Sequence, residues 1–215
     1  MKKTMHKRSR ILLAAILAPA LFFSSCEKDD PVPEPPLEEY DGVTVTFTEV
    51  EIHGDHHHDI ENPETAEIKF RYENGAVVID GSDHLHLTAG KTFLQTISIL
   101  DDGKTINDDF DPALHQFFFT GAPDNVLDYA YIDKDSGEKG VGFEGYLTVL
   151  AATEVGFDFK LALVHFHSAG SKPEIAWNDA GYAGKIADVG HHDFEGSFEL
   201  HPVQGGHDDD DHGEH

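Results

Sequence analysis

The stretch GFDFKLALVHFH, residues 156–167, alternates in the manner of a strand. Period two puts Phe157, Phe159, Leu161 and Leu163 on one face and Val164 and Phe166 on the other. The first row is apolar along its length and then runs into His165 and His167. A strand of this kind belongs to a layered β structure, and its two histidines fall where a core-facing row reaches the end of the layer.

The same alternation recurs outward from there. In AEIKFRY, residues 66–72, Ala66, Ile68, Phe70 and Tyr72 face one way while Glu67, Lys69 and Arg71 face the other. In GVTVTFTEVEIH, residues 42–53, Val43, Val45 and Phe47 share a face, and Val50 and Ile52 then change phase, which predicts a bulge. Further strands are predicted at AVVID, HLHL, TFLQTISIL, HQFFFT, VLDYAYID, GFEGYLTVL and FEGSFELHPV, punctuated by ENG, DGSD, TAGK, DDGK and DKDSGEKG. DKDSGE, residues 133–138, lacks the full loop and terminal bidentate Glu of an EF-hand and reads as a hairpin turn. One helical turn is predicted around DDFDPAL, residues 108–114, and no long segment has helical periodicity. The predicted fold is all-β: a single antiparallel β-sandwich of Greek-key or immunoglobulin-like type over residues 42–203.

The two ends read differently. MKKTMHKRSR is followed by the apolar ILLAAILAPALFF and the small residues before Cys26, so residues 1–25 form a secretory signal. The apolar run falls short of the ~20 residues a membrane span needs. Cys26 is the only cysteine, which excludes a disulfide within the chain. Its context, Leu21-Phe22-Phe23-Ser24-Ser25-Cys26, resembles a bacterial lipobox, with Phe23 where an aliphatic residue is usual. That resemblance implies cleavage before Cys26 and lipidation of Cys26. Glu27-Lys28-Asp29-Asp30 resembles the surface-export signal of Bacteroidota lipoproteins and implies an anchor in the outer membrane that faces the cell exterior. Residues 26–41, with Pro31, Pro33, Pro35 and Pro36 among acidic residues, read as an extended acidic tether. Residues 204–215, QGGHDDDDHGEH, read as a disordered acidic, histidine-rich tail.

The full chain carries a net charge of −26, and removing the five positive charges of residues 1–25 leaves −31. Such a charge speaks against nucleic acid and anionic lipid surfaces as partners and suits cations. Nothing in the sequence points to an enzyme. There is no G-x-S-x-G elbow, phosphate loop or dinucleotide fingerprint, and no glutamate is marked as the base of a zinc hydrolase.

The run HLTAGKTFLQTISILDDGKTINDDFDPALHQFFFTG, residues 86–121, carries a further resemblance. Leu87-Thr88-Ala89-Gly90-Lys91-Thr92, then Ile97 to Leu100, Asp108 to Asp111, and His115-Gln116-Phe117-Phe118-Phe119 are similar to a group of Bacteroidota lipoproteins that accompany TonB-dependent outer-membrane receptors. The resemblance implies a β-sandwich lipoprotein paired with a receptor for a nutrient, and it names no ligand. His115, within the shared motif, is expected to bond a backbone group at the start of its strand.

Histidine is the unusual feature of the chain: fifteen of its sixteen lie beyond residue 25. His84 and His86 share one face of a strand, as His165 and His167 do of another, and such pairs can reach one ion at about 2.0–2.1 Å. If those strands end together, the four form one Zn²⁺ site; otherwise they are two pairs of polar surface residues. EIHGDHHHDI, residues 51–60, brings His53, His56, His57 and His58 into a predicted loop marked by Gly54 and Pro63. Alternating aspartate and histidine there suit Zn²⁺, Cu²⁺ or Ni²⁺ as a loose collecting shell, or else form an acidic solvated loop. His191 and His192 precede the last strand and are expected to supply ligands from a neighbouring loop, while His201 is expected to face solvent.

The functional expectation is a surface lipoprotein that binds a divalent transition metal, Zn²⁺ foremost, and hands it to a TonB-dependent receptor. Binding is expected to weaken as imidazoles protonate near about pH 6. The alternatives are a haem-binding lipoprotein, and a receptor-associated interaction module with incidental histidines.

Overall fold

The structure is a computed structural model that describes residues 40–54 and 56–205. The signal segment, Cys26 and its lipobox, the tether up to residue 39 and the tail from residue 206 lie outside the described residues. In chain order the elements are β1 (Gly42–His53), β2 (His56–Asp59), β3 (Thr65–Glu73), β4 (Ala76–Ile79), β5 (His84–Thr88), β6 (Thr92–Asp101) and β7 (Lys104–Thr105). There follow a 3-10 turn (Asn107–Asp109), β8 (His115–Thr120), β9 (Leu127–Tyr131), β10 (Glu144–Val149), β11 (Phe157–Phe166), α1 (Tyr182–Ile186) and β12 (Gly190–Val203). None of the described helices is long and apolar enough to cross a membrane.

Two sheets form. One runs β4-β3-β1-β6-β10-β9, with β2 added to β1 and β7 to β6; the other runs β5-β12-β11-β8. Pairing is antiparallel throughout the named strands except between β5 and β12, which are parallel. The inward rows interlock as the alternation requires. Val43, Val45 and Phe47 of β1, with Phe93, Ile97 and Ile99 of β6, pack against Phe117, Phe119, Leu161, Leu163, Phe198 and Leu200 of the second sheet. Each large apolar side chain so buried stabilises the fold by about 1.5–3 kcal/mol relative to exposure. A smaller cluster of Phe118, Val164, Phe166 and Ile186 lies on the outer side of β8 and β11, where α1 covers it. The all-β sandwich is therefore present, with every predicted strand in place.

Four local differences bear on function. First, no bulge interrupts β1: its register with β6 runs unbroken from Gly42↔Leu100 to Val50↔Thr92. A register shift lies instead in β12, where Leu163 faces Phe194 and Val164 faces His192, leaving Asp193 as the extra residue. Second, residues 51–53 and 56–59 pair as the arms of a β-hairpin and are not a loop, with Ile52↔His57 and His53↔His56 in register. Gly54 takes φ +69°, the left-handed conformation a tight hairpin needs. Third, Tyr40, at the end of the expected tether, is buried in the core. Fourth, α1 was not foreshadowed, since five residues are too few to show a period, whereas the 3-10 turn overlaps the predicted helical turn. DKDSGE is a turn as expected: Asp133 accepts from the Gly142 and Phe143 amides and Asp135 from those of Gly137 and Lys139.

Candidate metal centre

Three histidines stand in one rank across the second sheet. His165 of β11 pairs with His115 of β8 on one side and His191 of β12 on the other. They follow directly on the core-facing pairs that Leu163 makes with Phe117 and Phe194. The β12 bulge makes this possible, because the extra residue lets His191 and Phe194 both point inward. The extra residue itself, Asp193, puts its carboxylate among the rings, with its side chain only 2 % exposed. Its backbone carbonyl accepts hydrogen bonds from Tyr40 and Tyr72, each at 3.1 Å, which fixes the bulge.

The donor atoms converge. His115 Nε2 lies 3.0 Å from His165 Nδ1. Asp193 Oδ2 lies 3.7 Å from His165 Nδ1 and 3.9 Å from His115 Nε2, and its Oδ1 lies 3.2 Å from His191 Nε2. Two tetrahedral ligands at about 2.0–2.1 Å from an ion are roughly 3.3 Å apart, so only small side-chain movements separate this geometry from coordination. The other nitrogen of His115, Nδ1, donates to the Asp111 carbonyl at 3.0 Å, the outer partner that orients a metal-ligating imidazole and leaves Nε2 with its lone pair. The backbone bond expected of His115 is thus present, and it serves to aim the ring.

Burial sets the charge states. It holds the His115 imidazole down to about 4, the neighbouring His165 adding to the effect and the Asp111 carbonyl opposing it. Burial, then the charges of His191 and His167, likewise lower His165. Burial pushes the Asp193 carboxyl up to about 6. Asp193 Oδ2 is buried and accepts no hydrogen bond, a costly condition for a carboxylate unless a cation stands against it. His115, His165 and Asp193 can hold a metal ion, their ligand atoms all lying within 4.8 Å of one another.

A second group, His84, His86 and His201, meets the same distance condition. The parallel register sets Glu199 beside His84 and His201 beside His86. Leu85, Leu87 and Leu200 point into the core, so this group lies on the outer face of the sheet. His84 Nε2 and His86 Nε2 are 2.8 Å apart, and His84 Nδ1 lies 3.0 Å from the Glu199 carboxylate.

The two His-x-His pairs do not share a site. One group sits at the start of β12 and the other near its end, on opposite faces, and the ten steps between His191 and His201 span on the order of 30 Å at the rise of a strand. His84 and His86 stay together. His165 parts from His167, which follows the end of β11 and is exposed; its ring lies 5.9 Å from that of His191 between centroids, and its backbone amide donates to the Val189 carbonyl at 2.9 Å. His191 reaches the centre through Asp193, but from the strand itself and not from a neighbouring loop. His192, one step along, faces outward against Tyr182 and 3.8 Å from Glu195. In the hairpin, His53 and His58 rings meet at 4.9 Å and His56 and His58 at 5.5 Å, while His57 turns the other way and bonds the Tyr146 hydroxyl at 2.8 Å. Among the described residues no three of the hairpin's ligand atoms come within 4.8 Å of one another.

Three residues beyond the expected set complete these groups. His201 is half-buried and joins His84 and His86, which only the parallel pairing of β5 with β12 brings about. His115 is joined to His165 by strand order, which alternation does not encode. Asp193 stands just before the predicted strand FEGSFELHPV, and its place follows from a bulge with no signature in sequence. Comparison of the chain with protein-family models, with curated proteins and with solved structures finds no match.

Proposed function

We propose that this chain is a surface lipoprotein, anchored to the outer membrane through Cys26, that holds a divalent transition metal ion and passes it to a TonB-dependent receptor. One observation carries the metal reading: a buried carboxylate oxygen without a hydrogen-bond donor faces two neutral imidazoles at ligand distance. Two nitrogens and one carboxylate suit Zn²⁺ first, and Cu²⁺ or Ni²⁺ as borderline ions of the same class. The histidines of the exposed hairpin and the acidic tail are suited to collecting ions loosely around the domain. Haem is disfavoured by the same geometry, because two axial nitrogens on opposite sides of one iron stand about 4 Å apart with a macrocycle between them, at roughly 2.0 Å per bond. His115 and His165 are 3.0 Å apart and directly paired in a sheet. We read the centre as one for binding and not for catalysis.

Calorimetric titration of Zn²⁺ into the chelator-treated full chain tests the metal reading. A sub-micromolar site in the wild type that His165→Ala and Asp193→Asn both remove is the expected result. Weak, ill-defined heat that both variants reproduce would sink it. Membrane fractionation of Cys26→Ser tests the anchor: the variant is expected in the soluble fraction, and retention in the membrane fraction would refute lipidation as the attachment.

A further inference from the structure

The outer-face histidines form a group of a different kind from the buried one. Their set is all nitrogen: His84 and His86 from β5, the edge strand of its sheet, and His201 from the neighbouring β12. Ring centroids are 4.5 Å apart for His84 and His86, 5.2 Å for His86 and His201, and 5.9 Å for His84 and His201. Each end of the group has an outer partner. The Glu199 carboxylate accepts from His84 Nδ1–H at 3.0 Å, leaving His84 Nε2 with the lone pair. The Thr153 carbonyl accepts from His201 Nε2–H at 3.1 Å, leaving Nδ1 as the lone-pair nitrogen of His201. Carboxylate and carbonyl acceptors behind imidazoles are the partners that fix tautomer and orientation in metal sites. The 2.8 Å between His84 Nε2 and His86 Nε2 has to widen by about half an ångström for two ligands of one ion, which a rotation of either partly exposed ring supplies.

We propose that His84, His86 and His201 form a second metal site, independent of the buried centre, that takes Cu²⁺ ahead of Zn²⁺. Three imidazoles without a carboxylate ligand suit the late borderline ions, among which Cu²⁺ binds most tightly. His86 is exposed, and a cavity flanked by His86, Thr88, Thr153, Glu154 and His201 opens beside the group. Solvent can therefore complete the tetragonal shell that Cu²⁺ prefers, whereas at the other centre Phe110 packs on His115 and the Asp193 side chain is only 2 % exposed. Because the ligands come from two strands, a bound ion also ties the edge strand β5 to β12 across their parallel pairing. The site lies on the order of 30 Å from the buried one along β12, so neither shares a ligand with the other.

The test is electron paramagnetic resonance of the full chain with Cu²⁺ added below one equivalent. The expected spectrum carries the splitting of three equatorial nitrogens, persists in Asp193→Asn, and disappears in the double variant His84→Ala/His201→Ala, which keeps its far-ultraviolet circular dichroism. Glu199→Gln is expected to weaken Cu²⁺ binding by roughly 10–100-fold while keeping the three-nitrogen pattern. Persistence of the pattern in the double variant would place copper elsewhere, in the hairpin or tail, and overturn the proposal. Loss in Asp193→Asn would overturn its independence. The Zn²⁺ heat of the buried centre, measured in the same double variant, is expected to be unchanged, so failure here and failure of the buried centre are distinguishable.

Discussion

His115 and His165 stand directly opposite each other on β8 and β11, with Nε2 of one 3.0 Å from Nδ1 of the other. Since His115 Nδ1–H is directed to the Asp111 carbonyl, the single proton between the rings belongs to His165. A metal ion bound between the rings would take the place of that proton and would be held by both lone pairs. Register enforces the arrangement. The next pair on the same face is Phe117 and Leu163, both buried in the core, so a slip of one residue would turn the two histidines outward and the phenylalanine with them.

His165→Ala and His167→Ala are therefore expected to part company. The first removes a ligand and is expected to weaken Zn²⁺ binding by more than the roughly 10–100-fold that loss of an outer-shell partner costs. The second removes an exposed ring and is expected to leave affinity unchanged and stability within about 0.5 kcal/mol. Titration calorimetry on both reads the contrast. Equal losses would mean that the His-x-His pair acts together after all.

Metal removal is expected to leave the fold standing. The core runs through both sheets from Val43 to Leu200 and owes nothing to the three ligands. Chelator-treated protein should unfold cooperatively in urea. Zn²⁺ at a hundred times its dissociation constant should then add about 2.7 kcal/mol through binding to the native state alone. Loss of the cooperative transition on chelation would make the metal structural.

Away from the centre, Lys172 is a buried ammonium whose side chain is 0 % exposed, held by Asp135 at 3.3 Å and by the Pro112 carbonyl. Burial lowers the lysine, while the backbone amides of Lys139 and Gly137 and then Lys172 itself lower the aspartate against the opposing pull of its own burial. Asp135→Ala strands the charge and is expected to cost about 3–5 kcal/mol in urea denaturation. Lys172→Met removes the charge together with its desolvation and is expected to cost clearly less. The reverse order would mean that the ammonium reaches water in Asp135→Ala.

How much of this was legible in the sequence depends on the range of the information. Alternation along GFDFKLALVHFH gave the strand, its inward row and the inward place of His165, because period two is a local property. It could not give neighbours. His115 meets His165 only because β8 lies beside β11, and His201 meets His84 only because β5 joins β12 in parallel. EIHGDHHHDI shows no strand signature because its histidines hide the alternation of a solvent-facing hairpin, where Ile52 is 41 % exposed. The bulge at Asp193 was invisible for a related reason: its extra residue is polar among polar neighbours and leaves the pattern of His191 and His192 unmarked.

Asp193 also sets an unusual acid dependence for the metal-free protein. Its folded-state value of about 6 lies above its ordinary 3.8, so the folded state takes up this proton first. Acidification from about pH 6 towards 3.8 therefore stabilises the fold through Asp193. His115 works in the opposite direction: held at about 4 against an ordinary 6.5, it remains neutral in the fold while the unfolded chain protonates. Its contribution is full above 6.5 and is lost as pH falls towards about 4, and His165, also lowered, has the same sign. The opposing slopes overlap and mask each other in the wild type. Asp193→Asn removes one of them. In chelator it is expected to be more stable than wild type at pH 7, relieved of a buried carboxylate whose Oδ2 has no donor, with the advantage closing as pH approaches about 4. With Zn²⁺ present the order at pH 7 should reverse, since only the wild type keeps its anionic ligand. Urea midpoints of both proteins across that range, with chelator and with Zn²⁺, decide the matter. An asparagine variant less stable than wild type at pH 7 in chelator would mean that the carboxylate is held by the protein and not kept for a metal.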